Sequence, residues 1–204
     1  MSRTKALLAF LLGAVVGIAL IGAVRYSRAE EPAVVHYHAN WAIFVDGQRV
    51  DLSANRYMED VVQCTADPAH QRPEDRVHMH TNNQDVVHVH SAGATWGHLM
   101  ANIGLGIGDS YLDLIDRHLV SGEAGTLKFV LNGAPVRSIR NLLIESEDRL
   151  LISFGPESVE QVVAEQYPQV MDSAGHYNTM PDPASCAGAA QATTGSRIRE
   201  AFFF

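Results

Sequence analysis

The sequence predicts an α+β domain, mostly antiparallel and β-grasp-like, carried behind an N-terminal transmembrane helix. Three observations lead there. Residues 6–24, ALLAFLLGAVVGIALIGAV, contain no charge. Strand-like stretches broken by Asp46-Gly47 and Asn132-Gly133 recur through the remainder. A single capped helical pattern sits between them, and hairpins with one helix are satisfied by a sheet with that helix across one face. An all-β sandwich is the alternative.

At 1.5 Å per residue the apolar run makes a helix of about 28 Å, close to the thickness of a bilayer core. Residues 1–5 then form a cytoplasmic N-terminus, 6–24 the anchor in the lipid bilayer and 25–34 a polar linker. The run is long for the apolar region of a cleaved signal, and the one small-x-small site, Ser27-Arg28-Ala29, lies beside arginines. An uncleaved signal-anchor is the better reading. Arg3 and Lys5 before the span nearly balance Arg25 and Arg28 after it, so the positive-inside rule decides little. The class of N-terminal single spans places the main domain on the periplasmic or extracellular side of the inner membrane.

Residues 35–166 hold the domain. Val35, Tyr37, Ala39, Trp41, Ile43 and Val45 recur at every second position, the period of a strand. Asp46-Gly47 turns that strand back into residues 48–52. Residues 77–90, VHMHTNNQDVVHVH, read as a second hairpin. Thr95 caps a short helix, TWGHLMANI, that stops at Gly104. Residues 105–125 fit either a strand near 111–115 or a second short helix. Residues 126–131 and 135–140 flank Asn132-Gly133 as a third hairpin, 150–154 form a strand and 156–166 a helix. Residues 167–204, rich in Ala, Gly, Ser and Pro, read as a tail. Its closing Phe202, Phe203 and Phe204 are either a docking element or a frayed end.

The chain carries a net −8; without Arg3, Lys5, Arg25 and Arg28, 11 basic residues face 23 acidic ones, a net −12. Such a surface excludes a nucleic-acid footprint and favours cationic partners, metals included. Cys64 and Cys186 either pair as a disulfide or stand as two thiols, and no C-x-x-C is present to support thiol redox chemistry.

Six of the ten histidines fall in three His-x-His pairs: His36/His38, His78/His80 and His88/His90. Residues two apart on a strand share a face. An odd turn between the second and third pairs sets His78 opposite His88. His78, His80, His88 and His90 then lie on one face, and Val77, Met79, Val87 and Val89 on the other. A turn of even length would mix the two sets, so burial of an apolar face selects the odd turn. Four adjacent imidazoles suit a divalent transition metal, Zn or Cu, with His36 and His38 lining or completing the site. Iron or manganese would want a carboxylate such as Asp75 or Asp85. His98 faces either this patch or solvent, and His70, His118 and His176 are surface residues. Gly104, Gly106 and Gly108 read as turn residues rather than a phosphate loop.

With the His-x-His-Ala strand at 36–39, Tyr57-Met58, the Val-His-x-His…Val-x-His-x-His hairpin and the Thr-x-Gly helix start at Thr95, the chain resembles a group of uncharacterised single-span extracytoplasmic His-rich proteins of bacteria and archaea. The resemblance covers about half the chain. It implies this fold and a histidine patch, and no established activity; the disulfide-isomerase labels of some members need the C-x-x-C that is missing here. Function therefore reads first as a membrane-anchored metal-binding domain. Two alternatives stay open: an accessory subunit of a larger membrane complex, respiratory or photosynthetic, and a His-ligated metalloenzyme with Glu59, Asp60 or Asp85 near enough to serve as a base.

Overall fold

A computed structural model describes residues 3–28, 35–59 and 73–180. They fall in two units, the N-terminal helix and a sheet domain. Helix α1 runs Arg3–Arg28. It is long and apolar enough to cross a membrane by length and composition. Leu8, Phe10, Leu12, Ile18 and Ile21 on it are all more than half exposed.

In the domain, β1 spans Tyr37–Val45 and turns through Asp46 and Gly47, at φ 49° and 73°, into the two-residue β2, Gln48–Arg49. Positive φ at both central positions is the type I′ geometry that Asp-Gly favours. The second hairpin pairs β3, Val77–His78, with β4, Val86–Val89, setting Val77 against Val89 and His78 against His88. That is the register the two-faced pattern of valines and histidines demands. Helix α2, Trp96–Asn102, begins at a reciprocal cap: Thr95 Oγ1 accepts from the His98 amide at 3.1 Å, and His98 Nδ1 accepts from the Thr95 amide at 3.2 Å.

Residues 105–125, where strand and helix were both open, form a small separate sheet of β5 (Gly106–Ile107), β6 (Tyr111–Asp113) and β7 (His118–Val120). A Cβ at Gly108 would stand 2.2 Å from the Tyr111 ring, so packing accounts for a glycine there. Then β8 (Thr126–Leu131), β9 (Ala134–Val136) and β10 (Arg149–Gly155) complete the main sheet. Its order is β3-β4-β1-β10-β8-β9, with β2 added beside β1. Every pairing is antiparallel except the central one, where β1 and β10 run parallel from Asn40↔Arg149 to Val45↔Phe154. With α2 and the C-terminal helices on the sheet, the architecture is α+β and not the all-β sandwich.

One face of the sheet carries the main core. Ala39, Trp41, Ile43, Val77, Met79, Val87 and Val89 pack there with Trp96, Leu99 and Met100 of α2. The opposite face of β1 is covered as well, since every residue from His38 to Val45 is buried. The cover comes from chain that composition assigned partly to a tail. Helix α3, Val159–Gln161, is capped by Ser158 and continues through a wide turn at Val162–Gln166 into a tight one at Tyr167–Gln169. Helix α4, Ala174–Asn178, follows. Val162 and Val170 close a second core over Ala42, Phe44, Val130 and Leu151. Residues 167–180 thus belong to the packed domain, while Phe202, Phe203 and Phe204 lie outside the described residues, as do Cys64, Cys186 and His70.

Asn40 ties that cover down. Fully buried, it accepts from the Ser173 and Ala174 amides at 2.9 and 2.8 Å and donates to Asp85 O at 2.9 Å and Ser173 Oγ at 3.1 Å. Asn40→Ala strands these partners, and the expected cost is about 2–4 kcal/mol. A lowered urea midpoint at unchanged m-value would record it; an unchanged midpoint would show the network contributes nothing net.

Candidate metal centre

Pairing of β1 with β4 and of β4 with β3 sets His38, His88 and His78 abreast across three strands. The other three members of the His-x-His pairs flank this row. His88 is its hub. Ring centroids lie 4.9 Å from it for both His36 and His38, 5.1 Å for His78, 5.4 Å for His80 and 5.8 Å for His90. All six histidines singled out by sequence therefore meet on one face. His38, His78, His88 and His90 are buried, and His36 and His80 are half-buried.

Among the described residues the group of metal-holding size is His36, His38 and His88, with one ligand nitrogen from each within 4.8 Å of the others. Two of its three members are the pair at the start of β1, His38 on the strand and His36 just before it, to which sequence alone assigned a supporting part. His78 of the hairpin is directed differently. His38 Nε2 and His88 Nδ1 approach to 3.1 Å, whereas His78 Nδ1 lies 3.1 Å from Glu59 Oε2. Glu59, a candidate base by proximity, is an anchor for His78 and also accepts from Asn102 Nδ2 at 3.4 Å.

The remaining carboxylate candidates sit elsewhere. Asp85 pairs with Arg49, and its backbone oxygen receives Asn40 and Trp41. Asp75 belongs to the tight turn Pro73–Arg76 and Asp60 lies outside the described residues. Neither Asp75 nor Asp85 joins the three-histidine group. His98 is occupied by the α2 cap, His118 is exposed beside Asp113, and His176 packs edge-on to Tyr177.

Electrostatics keep His88 neutral. Burial pushes the His88 pKa far below its ordinary 6.5, and His78, His38, His36 and His80 add repulsion against a second positive charge. Burial alone would raise Glu59, but its hydrogen bond and charge interaction with His78, aided by Asn102 and His90, outweigh it and hold the carboxyl below its usual range. A neutral imidazole is the form that ligates. Two nitrogens of the three-histidine group, His36 Nε2 and His88 Nε2, are buried and make no hydrogen bond among the described residues.

Two residues that sequence reading passed over complete the surroundings. Asn178 and Tyr177 of α4 reach back to His38. Asn178 Oδ1 stands 2.7 Å from the His38 amide and 3.1 Å from its Nδ1, and the Tyr177 ring lies 5.7 Å from the His38 ring. Tyr177 also accepts from Asn83 Nδ2 at 2.9 Å. A small opening lined by His38, His80, Thr81, Asn83, Val86 and Tyr177 lies at this edge of the array. Neither residue belongs to a recognisable motif; the only signal was a polar pair in a stretch otherwise read as tail.

No protein-family model, no curated protein and no solved structure matches this chain.

Proposed function

We propose that this protein is a membrane-anchored, extracytoplasmic metal-binding domain that holds zinc or copper through His36, His38 and His88. One observation carries the reading: three imidazoles, two of them buried, each with a ligand nitrogen within 4.8 Å of the others. Two nitrogens each about 2.0–2.1 Å from a tetrahedral zinc stand about 3.3 Å apart, close to the 3.1 Å between His38 Nε2 and His88 Nδ1. Nitrogen ligands without a carboxylate suit Zn²⁺ and copper better than Mg²⁺, Ca²⁺ or Mn²⁺. Three protein ligands leave one position open for water, for a further ligand or for handing the metal on.

The remaining parts of the proposal have their own support. Taken as five strands in chain order (β1, β4, β8, β9, β10), the main sheet reads second-first-fifth-third-fourth about a parallel first–fifth pair, with α2 between the second and third. That order supports the β-grasp-like reading. Apolar side chains exposed around α1 favour a bilayer as its surroundings. The extracytoplasmic side, and membership of the single-span His-rich group, rest on the anchor position and the His-x-His motifs.

Purified full-length protein in mild detergent, loaded with Zn²⁺ or Cu²⁺ and dialysed, should retain near-stoichiometric metal by elemental analysis. Metal at background for both ions would overturn the reading. Removal of residues 3–28 is expected to move the chain from the carbonate-resistant membrane fraction to the supernatant. Retention in the membrane would show that α1 is not the anchor.

A further inference from the structure

We propose that Asn178 is the positioning residue that fixes the tautomer of His38 and thereby makes Nε2 its metal-binding atom; this rests on the three-histidine site above. Orientation of the Asn178 amide is settled by its partners. Its nitrogen faces Ser146 Oγ at 3.0 Å and Glu147 Oε1 at 3.4 Å, and a carboxylate only accepts, so the NH₂ must lie on that side. Its oxygen therefore faces His38, where it accepts the backbone N–H at 2.7 Å. The same oxygen is 3.1 Å from His38 Nδ1. An amide oxygen cannot donate, so Nδ1 carries the proton. In a neutral imidazole the other nitrogen then holds the lone pair, and that nitrogen is the Nε2 aimed at His88 Nδ1.

The consequence is specific to this end of the array. Histidine in water favours the opposite tautomer, with the proton on Nε2. In that form His38 would present N–H to the centre of the group and could ligate only after moving its proton. Asn178 removes that step and orients the ring, as the outer partners of ligating histidines generally do. It also gives a reason for α4 to return to β1 across 140 residues of sequence.

Nitrogen-15 NMR of the histidine rings in the metal-free, detergent-held full chain tests this directly, since the two tautomers have different ¹⁵N shifts. The proton on His38 is expected at Nδ1 in the wild type and in Asn178→Asp, which keeps the accepting oxygen. In Asn178→Ala it is expected to move largely to Nε2, with Zn²⁺ affinity weakened about 10–100-fold. Thr179→Ala removes a neighbouring hydroxyl that donates to the His176 carbonyl and should leave both readouts at their wild-type values. A wild-type His38 protonated at Nε2 would overturn the proposal whatever the variants do. So would an Asn178→Ala protein with unchanged tautomer and affinity. A wild type with the proton at Nδ1 that binds no Zn²⁺ would uphold the tautomer assignment and overturn the metal-binding function instead.

Discussion

His88→Ala is expected to weaken Zn²⁺ binding by more than about 100-fold, the largest effect of any single substitution in the domain. The floor follows from comparison: loss of a partner that merely supports a ligand costs about 10–100-fold, so loss of the ligand at the hub must exceed it. His88 is also the one ring that contacts all five others. His78→Ala provides the contrast. His78 is equally buried, but its Nδ1 is committed to Glu59 and it stands outside the three-histidine group. Its replacement should change affinity much less than that of His88. Competition against a chromophoric chelator measures both, and the fluorescence of Trp41 and Trp96, the chain's two tryptophans and both buried in the domain core, reports whether each variant is folded. Wild-type affinity in His88→Ala together with loss in His78→Ala would move the site onto the hairpin and away from β1.

That contrast marks where sequence reading reached its limit. The histidine face of β3 and β4 was legible because both strands alternate with a period of two and the turn between them is short. One register buries Val77, Met79, Val87 and Val89 together, and no other does. Pairing of β1 with β4 is a different matter. It joins His38 to His88 across 50 residues, and nothing local in either strand names its neighbour. The parallel pair was less hidden. Its strand β10, RLLISFG, buries all but its first residue, and a near-continuous apolar run is the mark of a strand covered on both faces. Reading 150–154 that way would have required a second layer, and with it a use for residues 156–180. Instead 156–166 read as a helix with no assigned place, and the Ala, Gly, Ser and Pro from 167 onward suggested a tail. In the fold, small residues are what let it lie close against β1: Ser173 and Ala174 bring their amides to Asn40. Asn40 and Asn178 themselves carry no motif, because a single amide becomes informative only when its partners are known.

The metal-free domain should lose stability in mild acid, and His88 sets the window. Above the ordinary histidine value of 6.5 both the folded and unfolded forms keep this ring neutral, and its titration contributes nothing to the balance. Below 6.5 the unfolded chain takes up a proton that the folded one refuses, because burial and four neighbouring imidazoles hold the folded pKa far down. More protons on the unfolded state means that stability falls as pH falls, by about 1.4 kcal/mol per pH unit for one such group. Glu59 acts in the same direction but lower on the scale. Its folded pKa is depressed, so its contribution is intact above 4.5 and is lost only beneath that value. Between 6.5 and 4.5 the slope therefore belongs to His88, and it should be visible as a urea midpoint that falls as pH drops through that window. His88→Gln, which cannot titrate, should flatten it. Saturating Zn²⁺ should lift the curve at the upper end, by about 2.7 kcal/mol at a hundred times the dissociation constant. That lift should fade toward the lower end as protons compete for the same nitrogens. A midpoint independent of pH, or a slope that survives His88→Gln unchanged, would mean that water or local opening gives the array access to protons in the folded state, and that the ring is not kept neutral by burial.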